Sequence, residues 1–508
     1  MQNNVDVIVI GSGMGGLSAA LGLARAGQKV VVCERNSVAG GNCSSFPIGD
    51  YTFDVAVHQL TGVDDNGNCA QVFEDYKIKD KLKFFRIDPF VTLILPDREI
   101  SLPGSYEGLE KAMIDLAPDH KKDIRRFFKT MIAWRQDILI TGRIFQGKKS
   151  VENSNYGKIK LLKKLTFPFT GLFWFLNSRK TTDKLFKILT KNKNIAALFA
   201  ACWPYLGLPP KKASGLWMVS CMSGLYGEHT YYPQGNSQKI ADVFVSAIEE
   251  NQGKVMLNSG VKEIIVKNNI AQGVVLENGQ KIFAKTVISN ADAIQTFTKL
   301  IDPDILPKNY MRKLSKLTPS VGPFKVFIGL DFDIAKHGFA QHEYFFYESF
   351  DFEECYEKFE KGLVPCLSAY SPTHLEPNLA PKGHSTLILT LFYPWQTERD
   401  WRSAKEQIAH EMIQLVEKKV KNLSDHIVIK KIFTPQDLND FSLSHRGAMY
   451  GWANSPEQSL IYRLKQTTPI KNLHLSGHWT IPGTGITTAI MSGWILSKAL
   501  GKKIKKKF

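Results

Sequence analysis

The chain has 508 residues, of which 44% are hydrophobic and 22% charged, and its formal net charge is +17. This composition excludes disordered and fibrous proteins, and the length predicts about two domains, because a single hydrophobic core usually stops growing before this size. The charge alone fits nucleic acid, an anionic membrane surface or a generally basic protein, so its placement has to decide between them.

The first elements of the chain predict a βαβ unit around a cluster of glycines. An apolar β-rich run, Val5–Ile10, precedes the cluster; a helix is expected at Met14–Ala26 and a second strand at Lys29–Cys33. The cluster matches G-x-G-x-x-G with Gly11, Ser12, Gly13, Met14, Gly15 and Gly16. Glu34 then stands at the distance expected for an acid that accepts hydrogen bonds from ribose hydroxyls. Together these features predict an adenine-dinucleotide site on the first helix N-terminus.

The stretch from Gly235 to Asp292 predicts a helix followed by a small β-meander inserted in an α/β framework. The helix is expected at Lys239–Asn251. The strands are expected at Val255–Leu257, Val261–Val266, Gln272–Leu276 and Thr286–Ile288, with Asn-Asn and Glu-Asn-Gly turns between them.

The last elements predict a return to the nucleotide-binding domain. A buried strand is expected at Leu473–Ser476, followed by Gly477, a Pro-Gly-Thr-Gly stretch and a helix from about Ile486 to Leu500. Because its pieces are dispersed, this domain is predicted to be discontinuous, with residues 1–75, 228–296 and 440–508. Residues 76–227 and 297–439 are predicted to form a second, interleaved domain.

Several motifs, in chain order, resemble the phytoene desaturase, carotenoid isomerase and retinol saturase family of amine-oxidase-like flavoproteins. They are Val38–Cys43 with a second glycine pair, Tyr51–Asp54, Tyr232–Asn236, Val287–Asp292 and Leu473–Ile486. The sequence departs from the family pattern at Asn42, where many relatives carry a basic residue, at Asn236, which replaces a glycine, and at His478, where an acid is frequent.

This resemblance implies an α/β fold with a Rossmann-like FAD-binding domain, an inserted β-meander and an interleaved α+β substrate domain. It implies that both ends of the chain converge on one FAD. The implied contacts with FAD come from Gly11, Ser12, Gly13, Met14, Gly15, Gly16, Glu34, Arg35, Gly40, Gly41, Asn42, Val261, Asn290, Gly477, His478, Gly485 and Ile486. Gly483 and Gly485 would free amides at the start of the last helix, whose positive end would face the flavin.

His58 and His478 are the candidate catalytic residues. A histidine also stands at the position of His58 in retinol-saturase-like relatives, and one interpretation is a general acid near the flavin. For both residues a purely structural histidine is an open alternative. Glu228 and His229 are weaker candidates for the mouth of the active site.

The resemblance implies an oxidoreductase that desaturates or saturates C–C bonds of a long polyene or unsaturated lipid. An isomerase that uses reduced FAD without net redox change is the main alternative. A prenyl-binding escort protein and a nicotinamide-dependent dehydrogenase are further alternatives. Aromatic residues of the second domain would suit an apolar tunnel, although such residues usually form cores: Trp203, Tyr205, Trp217, Tyr226, Phe324, Phe327 and the run from Tyr344 to Tyr347.

Positive charge concentrates in residues 156–194 and in the last residues, Gly501–Phe508. The first of these segments contains the aromatic-rich run Leu165–Asn177, a composition typical of an interfacial membrane contact or of a basic face beside a core helix. No nucleic-acid recognition motif is found. The seven scattered cysteines predict free thiols in a reducing compartment, and no spacing of histidine and cysteine predicts a metal site. We therefore expect a cytoplasmic protein, peripheral at a membrane surface.

Overall fold

The computed structural model describes residues 4–65, 67–145, 175–227 and 229–505. The strands are β1 (Asn4–Ile10), β2 (Val30–Cys33), β3 (Ser45–Ile48), β4 (Tyr51–Asp54), β5 (Leu60–Thr61), β6 (Phe84–Ile87), β7 (Val91–Ile94), β8 (Glu99–Leu102), β9 (Thr230–Pro233), β10 (Lys254–Met256), β11 (Val261–Lys267), β12 (Ile270–Leu276), β13 (Lys281–Ser289), β14 (Gly322–Leu330), β15 (Glu343–Tyr347), β16 (Cys366–Tyr370), β17 (Ser385–Tyr393), β18 (Ile427–Phe433) and β19 (Leu473–Leu475). The helices are α1 (Met14–Ala24), α2 (Asn68–Tyr76), α3 (Tyr106–Leu116), α4 (Lys121–Phe145), α5 (Thr182–Leu189), α6 (Lys193–Phe199), α7 (Gly215–Gly227), α8 (Gln238–Glu250), α9 (Ala293–Thr298), α10 (Lys308–Leu314), α11 (Phe352–Glu360), α12 (Lys405–Glu417), α13 (Pro435–Ser442) and α14 (Ile486–Lys505).

The first sheet contains the βαβ unit and runs in the order β10-β2-β1-β13-β12-β11, with β19 also paired to β13. β10, β2, β1, β13 and β19 are parallel, and β11 and β12 continue from β13 as antiparallel strands. The prediction that Val255–Leu257 belongs to the meander is wrong, because β10 pairs in parallel with β2. β13 is longer than predicted, since one half of it pairs with β12 and the other half with β19.

Helices α1 and α14 pack together on one face of the first sheet. Ser18 of α1 donates from Oγ to the carbonyl of Ile490 on α14 at 2.7 Å. Gly493 lets the two backbones approach, because a Cβ at this position would lie 2.3 Å from the carbonyl oxygen of Gly15. The N-terminal and C-terminal segments of the chain therefore form one layer, and the α/β fold class is confirmed.

The second sheet runs in the order β18-β14-β17-β16-β15-β7-β8. Its strands come from two separate stretches of the chain, and most neighbours are antiparallel. An aromatic core that includes Phe127, Phe199 and Trp203 packs against it. The predicted interleaved α+β architecture is thus confirmed. The exact domain boundaries stay predictions; Leu300 and Leu314, just beyond the predicted boundary at residue 296, pack in a core with the first sheet.

All seven cysteines lie in the described part of the chain and keep free thiols. Among the helices of the described residues, none combines the length and the apolar character that a crossing of the bilayer needs.

Candidate active site

The first glycine turn and the last loop of the chain are in direct contact. Ser476 donates from Oγ to the carbonyl of Gly15 at 2.8 Å, and a Cβ on Gly15 would lie only 2.5 Å from Cα of Gly477. Real Cβ atoms do not approach backbone atoms so closely, so position 15 needs glycine. The expected convergence of the two chain ends is therefore present.

The side chain of Asn290 fills the space between these glycines. A Cβ on Gly13 would lie 2.6 Å from its Nδ2 atom, and a Cβ on Gly477 would lie 2.5 Å from its Oδ1 atom. The backbone N–H of Asn290 donates to the carbonyl of Ile10 at 2.8 Å, which continues the pairing of β1 with β13. Asn290 is thereby held at the C-terminal end of the first parallel strand.

The second glycine pair lies directly on the first glycine turn. The N–H of Gly40 donates to the carbonyl of Ser12 at 3.1 Å, and a Cβ on Gly41 would lie 3.3 Å from Cα of Gly13. Gly40 has φ +115° and Gly41 has φ +58°, a left-handed region that favours glycine. The adjoining Asn42 has a buried Oδ1 atom without a hydrogen-bond partner among the described residues.

The predicted ribose acid stands at the end of β2. Glu34 Oε2 accepts from the N–H and the hydroxyl of Ser12 at 2.7 and 2.6 Å, and its Oε1 accepts from the N–H of Asn36 at 2.8 Å. Its neighbour Arg35 donates to the carbonyl of Phe441 at 3.0 Å. These bonds fix the carboxylate over the turn that follows the first strand.

A single cavity of about 1080 Å³ runs along these motifs and into the second domain. Its wall contains most of the predicted site residues: Gly11, Gly13, Met14, Gly15, Glu34, Arg35, Gly40, Gly41, Asn42, His58, Val261, Asn290, Gly477, His478, Gly485 and Ile486. Ser12 and Gly16 do not line it. Ser12 instead binds Glu34, and Gly16 allows close packing, since a Cβ there would lie 2.3 Å from the carbonyl oxygen of Gly11.

The far part of the cavity is walled mainly by apolar and aromatic groups. Trp217, Cys221 and Leu225 of α7 face it, as do Phe392 and Tyr450. Of the aromatic residues proposed for a tunnel, only Tyr205 and Trp217 line this cavity. The other members are core residues instead. Phe327 packs in a small cluster with Tyr51 and Phe53. The rest belong to the large core of the second domain: Trp203, Tyr226, Phe324 and Tyr344 to Tyr347.

His478 is partly buried in the loop before α14. Its carbonyl accepts two bonds from the guanidinium of Arg463, at 3.0 and 2.8 Å, and this guanidinium also donates to the carbonyl of Tyr450 at 2.7 Å. Burial, and then the charge of Arg463, lower the pKa of His478 to about 4, so its imidazole is neutral at pH 7. Arg463 was missed by sequence reasoning, because one arginine in a loop carries no pattern.

A polar cluster interrupts the apolar wall around His58. The His58 ring stacks on Tyr370 with centroids 4.0 Å apart, and its Nε2 lies 3.2 Å from Oε2 of Glu343. Nearby, the ammonium group of Lys325 donates to the carbonyl of Val55 at 2.9 Å. Burial lowers the pKa of Lys325 to about 8. Lys325 and Glu343 lie within otherwise apolar strands. In the sequence, a charged residue inside such a strand was the feature that could have indicated a functional site.

His229 and the Tyr232–Asn236 loop lie away from this cavity. Nδ1 of His229 bonds to the carbonyl of Gly104 at 2.5 Å, and His229 is not part of the cavity wall. Glu228 lies outside the described residues. The Tyr232–Asn236 loop anchors the buried Asp54, which accepts from the hydroxyl of Tyr232 at 2.7 Å.

The residues of the first half of the cavity fit a dinucleotide cofactor. Glycines that no side chain could replace leave backbone exposed beside the N-terminus of α1, and the carboxylate of Glu34 stands at the end of β2. The unpartnered Oδ1 of Asn42 offers an acceptor in the same wall. The N-terminal turn of α14 closes the other side.

Comparisons with known proteins agree with this geometry. The chain is 28% identical to prolycopene isomerase 2 of an Oncidium hybrid cultivar over 96% of the chain and 82% of the relative. It is 26% identical to a 4,4'-diapophytoene desaturase of Methylomonas sp over 100% and 97% of the two chains. It is 27% identical to all-trans-retinol 13,14-reductase of Danio rerio over 94% and 83%.

Solved structures share the fold at low sequence identity. An oxidoreductase from Methanosarcina mazei superposes with a TM-score of 0.68 at 16% identity, covering 97% of this chain and 100% of the other. Putrescine oxidase bound to putrescine gives a TM-score of 0.63 at 13% identity, covering 98% and 99%. The model of the flavin containing amine oxidoreductase family matches residues 14–500. The chain therefore belongs to the flavin containing amine oxidoreductase family, is a flavin-dependent oxidoreductase, and has FAD as its cofactor.

Proposed function

We propose that this enzyme adds hydrogen to, or removes it from, a carbon–carbon bond of a long apolar polyene or unsaturated lipid. The observation that carries the proposal is the single cavity, which joins the glycine motifs of one domain to an apolar, aromatic wall in the other. Relatives named for a diapophytoene desaturase and a retinol reductase support this substrate class. An oily substrate would gain free energy by leaving water for such a wall.

The FAD would be held by the predicted contact residues. The backbone beside Gly13 and Gly15 would receive the pyrophosphate, and Glu34 would exchange its bond to Ser12 for the ribose hydroxyls. Gly485 and Ile486 would present the N-terminus of α14 to the negative end of the flavin, where a helix dipole stabilises negative charge. When bound, the cofactor supplies or accepts a hydride. Trp217, Phe392 and Tyr450 would orient the substrate and exclude water.

The test is anaerobic turnover of candidate polyenes with prereduced protein and, separately, with oxidised protein. Saturation requires that the flavin is reoxidised in proportion to the product, and desaturation requires that oxidised flavin is reduced in the same proportion. A wild-type protein that holds FAD but changes no polyene, retinoid or unsaturated lipid in either redox state would refute the proposal.

Polyene cis–trans isomerisation is the second candidate, because prolycopene isomerases are among the relatives. The same anaerobic experiment separates the two functions. An isomerase would form product while the flavin stays reduced.

A binding protein and a nicotinamide enzyme explain the site less well. A prenyl escort has no use for the closely packed glycine motifs or for Glu34, and a nicotinamide enzyme would need a second glycine fingerprint. Flavin absorption bands near-stoichiometric with the purified protein support the proposal, whereas a colourless protein that binds NAD would contradict it.

We further propose a peripheral contact with an anionic membrane. Most of the run Leu165–Asn177 and the end of the C-terminal tail lie outside the described residues, but Phe175 and Leu176 are 60% and 64% exposed beside Arg179. Deletion of residues 502–508 should weaken binding to anionic liposomes in a salt-sensitive manner. Replacement of the tail lysines with glutamine is the matched control for tail length. Unchanged cosedimentation of both variants would exclude a contact through the tail.

A further inference from the structure

Each ring nitrogen of His58 lies near a hydrogen-bond acceptor in the wall of the cavity. Its Nδ1 lies 3.1 Å from the carbonyl oxygen of Ala56, and a carbonyl only accepts, so Nδ1 carries a hydrogen. Its Nε2 lies 3.2 Å from Oε2 of Glu343. If Nε2 carries no hydrogen and Glu343 is a carboxylate, both atoms are acceptors and cannot bond to each other. Both contacts are hydrogen bonds at the same time only when the pair holds one further proton, as an imidazolium with a carboxylate or as a neutral imidazole with a carboxylic acid.

The carboxylate of Glu343 is buried and has several hydrogen-bond donors on one oxygen. It lies on β15 with no exposed surface, and its Oε2 also accepts from the hydroxyl of Tyr205 at 2.6 Å and from the side-chain amide of Gln59. Its Oε1 has no partner among the described residues. A buried carboxylate is costly unless several donors or a proton compensate it, so this concentration of donors on one oxygen stabilises a chargeable group in an apolar wall.

The same groups differ in their access to the cavity. His58 and Tyr205 line it, whereas Glu343 lies behind them. Stacking on Tyr370 fixes the plane of the His58 ring, and the Tyr205 hydroxyl lies 3.5 Å from Nε2 of His58. His58 and Tyr205 are therefore the titratable side chains through which Glu343 can act on a substrate.

We propose that Glu343 is a positioning residue that retains one proton with His58, and that the His58–Tyr205–Glu343 triad exchanges this proton with the substrate. The inference rests on the proposed function. Saturation of a C=C bond breaks the π bond and forms two C–H bonds, one with a hydride from the reduced flavin and one with a proton from the triad, which solvent then restores. Desaturation reverses both transfers, so the triad accepts the proton while the oxidised flavin accepts the hydride.

Other ionisable groups face the triad and will influence its titration. They are Lys325, His342, Tyr370, Cys202 and Tyr450, and the charge of Asp54 acts in turn on Lys325 and Tyr370. Burial lowers the pKa of His342 to about 3 and so removes it as a proton source near neutral pH. Variants must therefore be compared with the wild type over one pH series rather than at one pH.

The test uses the full-length FAD protein with Glu343→Gln and, separately, Tyr205→Phe. Both changes preserve shape, so flavin content and melting temperature should stay close to the wild-type values. We expect kcat for hydrogen transfer to fall by roughly 100-fold, the usual contribution of a positioned acid or base. In Glu343→Gln the ionisation that shapes the pH profile of kcat should disappear or move. Tyr226→Phe and Glu376→Gln are matched controls outside the cavity wall, and both should keep the wild-type profile.

A readout independent of turnover is the protonation of the His58 ring nitrogens, followed by NMR of histidine-labelled apoprotein. His58→Gln assigns the signal. In the wild type the Nε2 signal should respond to the proton shared with Glu343, and in Glu343→Gln it should become that of an ordinary neutral imidazole. This measurement still tests Tyr205→Phe if Glu343→Gln does not fold.

The outcomes separate the two proposals. If the wild type transfers hydrogen to polyenes but the variants keep the wild-type pH profile and the same His58 signals, the triad proposal is wrong and the proposed function stands. If the wild type acts on no polyene while the NMR signals show the shared proton, the proposed function is wrong and the proton site itself is real.

Discussion

Gly493 provides a sharp test of the convergence of the two chain ends. A Cβ at this position of α14 would lie 2.3 Å from the carbonyl oxygen of Gly15, 2.5 Å from the amide nitrogen of Ala19 and 2.7 Å from Cβ of Ser18. Two of these atoms belong to the backbone of α1 and its entry turn and cannot rotate away. Gly493→Ala therefore has to push α14 away from α1 by roughly 1 Å, about the gap to ordinary van der Waals distance.

The expected magnitude follows from two opposing effects. Overpacking costs about 1–3 kcal/mol, and the higher helix propensity of alanine returns about 0.5–1 kcal/mol. Gly501 lies in the same helix, but its Cβ would only touch Cβ of Ala26 at 4.0 Å. Gly501→Ala should therefore raise stability by about 0.5–1 kcal/mol, from propensity alone.

Thermal melting and flavin content of the two purified variants provide the assay. Gly493→Ala should melt below the wild type and lose FAD, because its shift displaces the loop before α14 from the cavity, whereas Gly501→Ala should melt slightly higher with full flavin. If Gly493→Ala were as stable and as yellow as Gly501→Ala, the contact between α1 and α14 would be refuted.

Three further predictions concern the buried polar groups. Burial lowers the pKa of Lys325 from 10.5 to about 8, so below pH 8 the charge on Lys325 costs the folded state about 3 kcal/mol. In the unfolded chain this lysine stays protonated up to about pH 10.5. Lys325→Met should therefore be more stable than the wild type in urea unfolding, and this advantage should shrink as the pH rises from 8 to 10.5. Arg463→Met leaves the carbonyls of His478 and Tyr450 without a buried donor, which should lower the melting temperature and the flavin content by removing bonds worth about 1–3 kcal/mol each; retention of both would contradict this role. Because the pKa of His478 is lowered to about 4, its imidazole stays neutral at higher pH, and His478→Gln should leave the shape of the kcat–pH profile above pH 5 unchanged; loss of an ionisation near pH 7 would refute this assignment.

The parts that sequence predicted correctly depend on local rules. The glycines at the end of β1, the acid at the end of β2 and the helix α14 follow from turn geometry, strand length and apolar periodicity, which neighbouring residues set. The resemblance to flavoproteins then joined these distant motifs in one site. The pairing of β10 was mispredicted, because a three-residue strand carries no signal for the partner with which it pairs.

The sequence by itself determined that a dinucleotide-binding site lies at the first glycine turn of the chain. It also determined that the last helix begins with backbone amides that glycines leave accessible. Only the tertiary structure decided which polar residues line the cavity or support its wall. Lys325 lines it, whereas Glu343 and Arg463 bind residues of the wall, and all three stand in stretches with no motif. The aromatic residues of the second domain likewise divide between wall and core. The physical reason is that backbone conformation depends on adjacent residues, whereas burial and the pairing of charges depend on atoms brought together from distant segments. Glu343 and His58, whose side chains lie 3.2 Å apart, are separated by 285 residues of chain and meet only in the folded molecule.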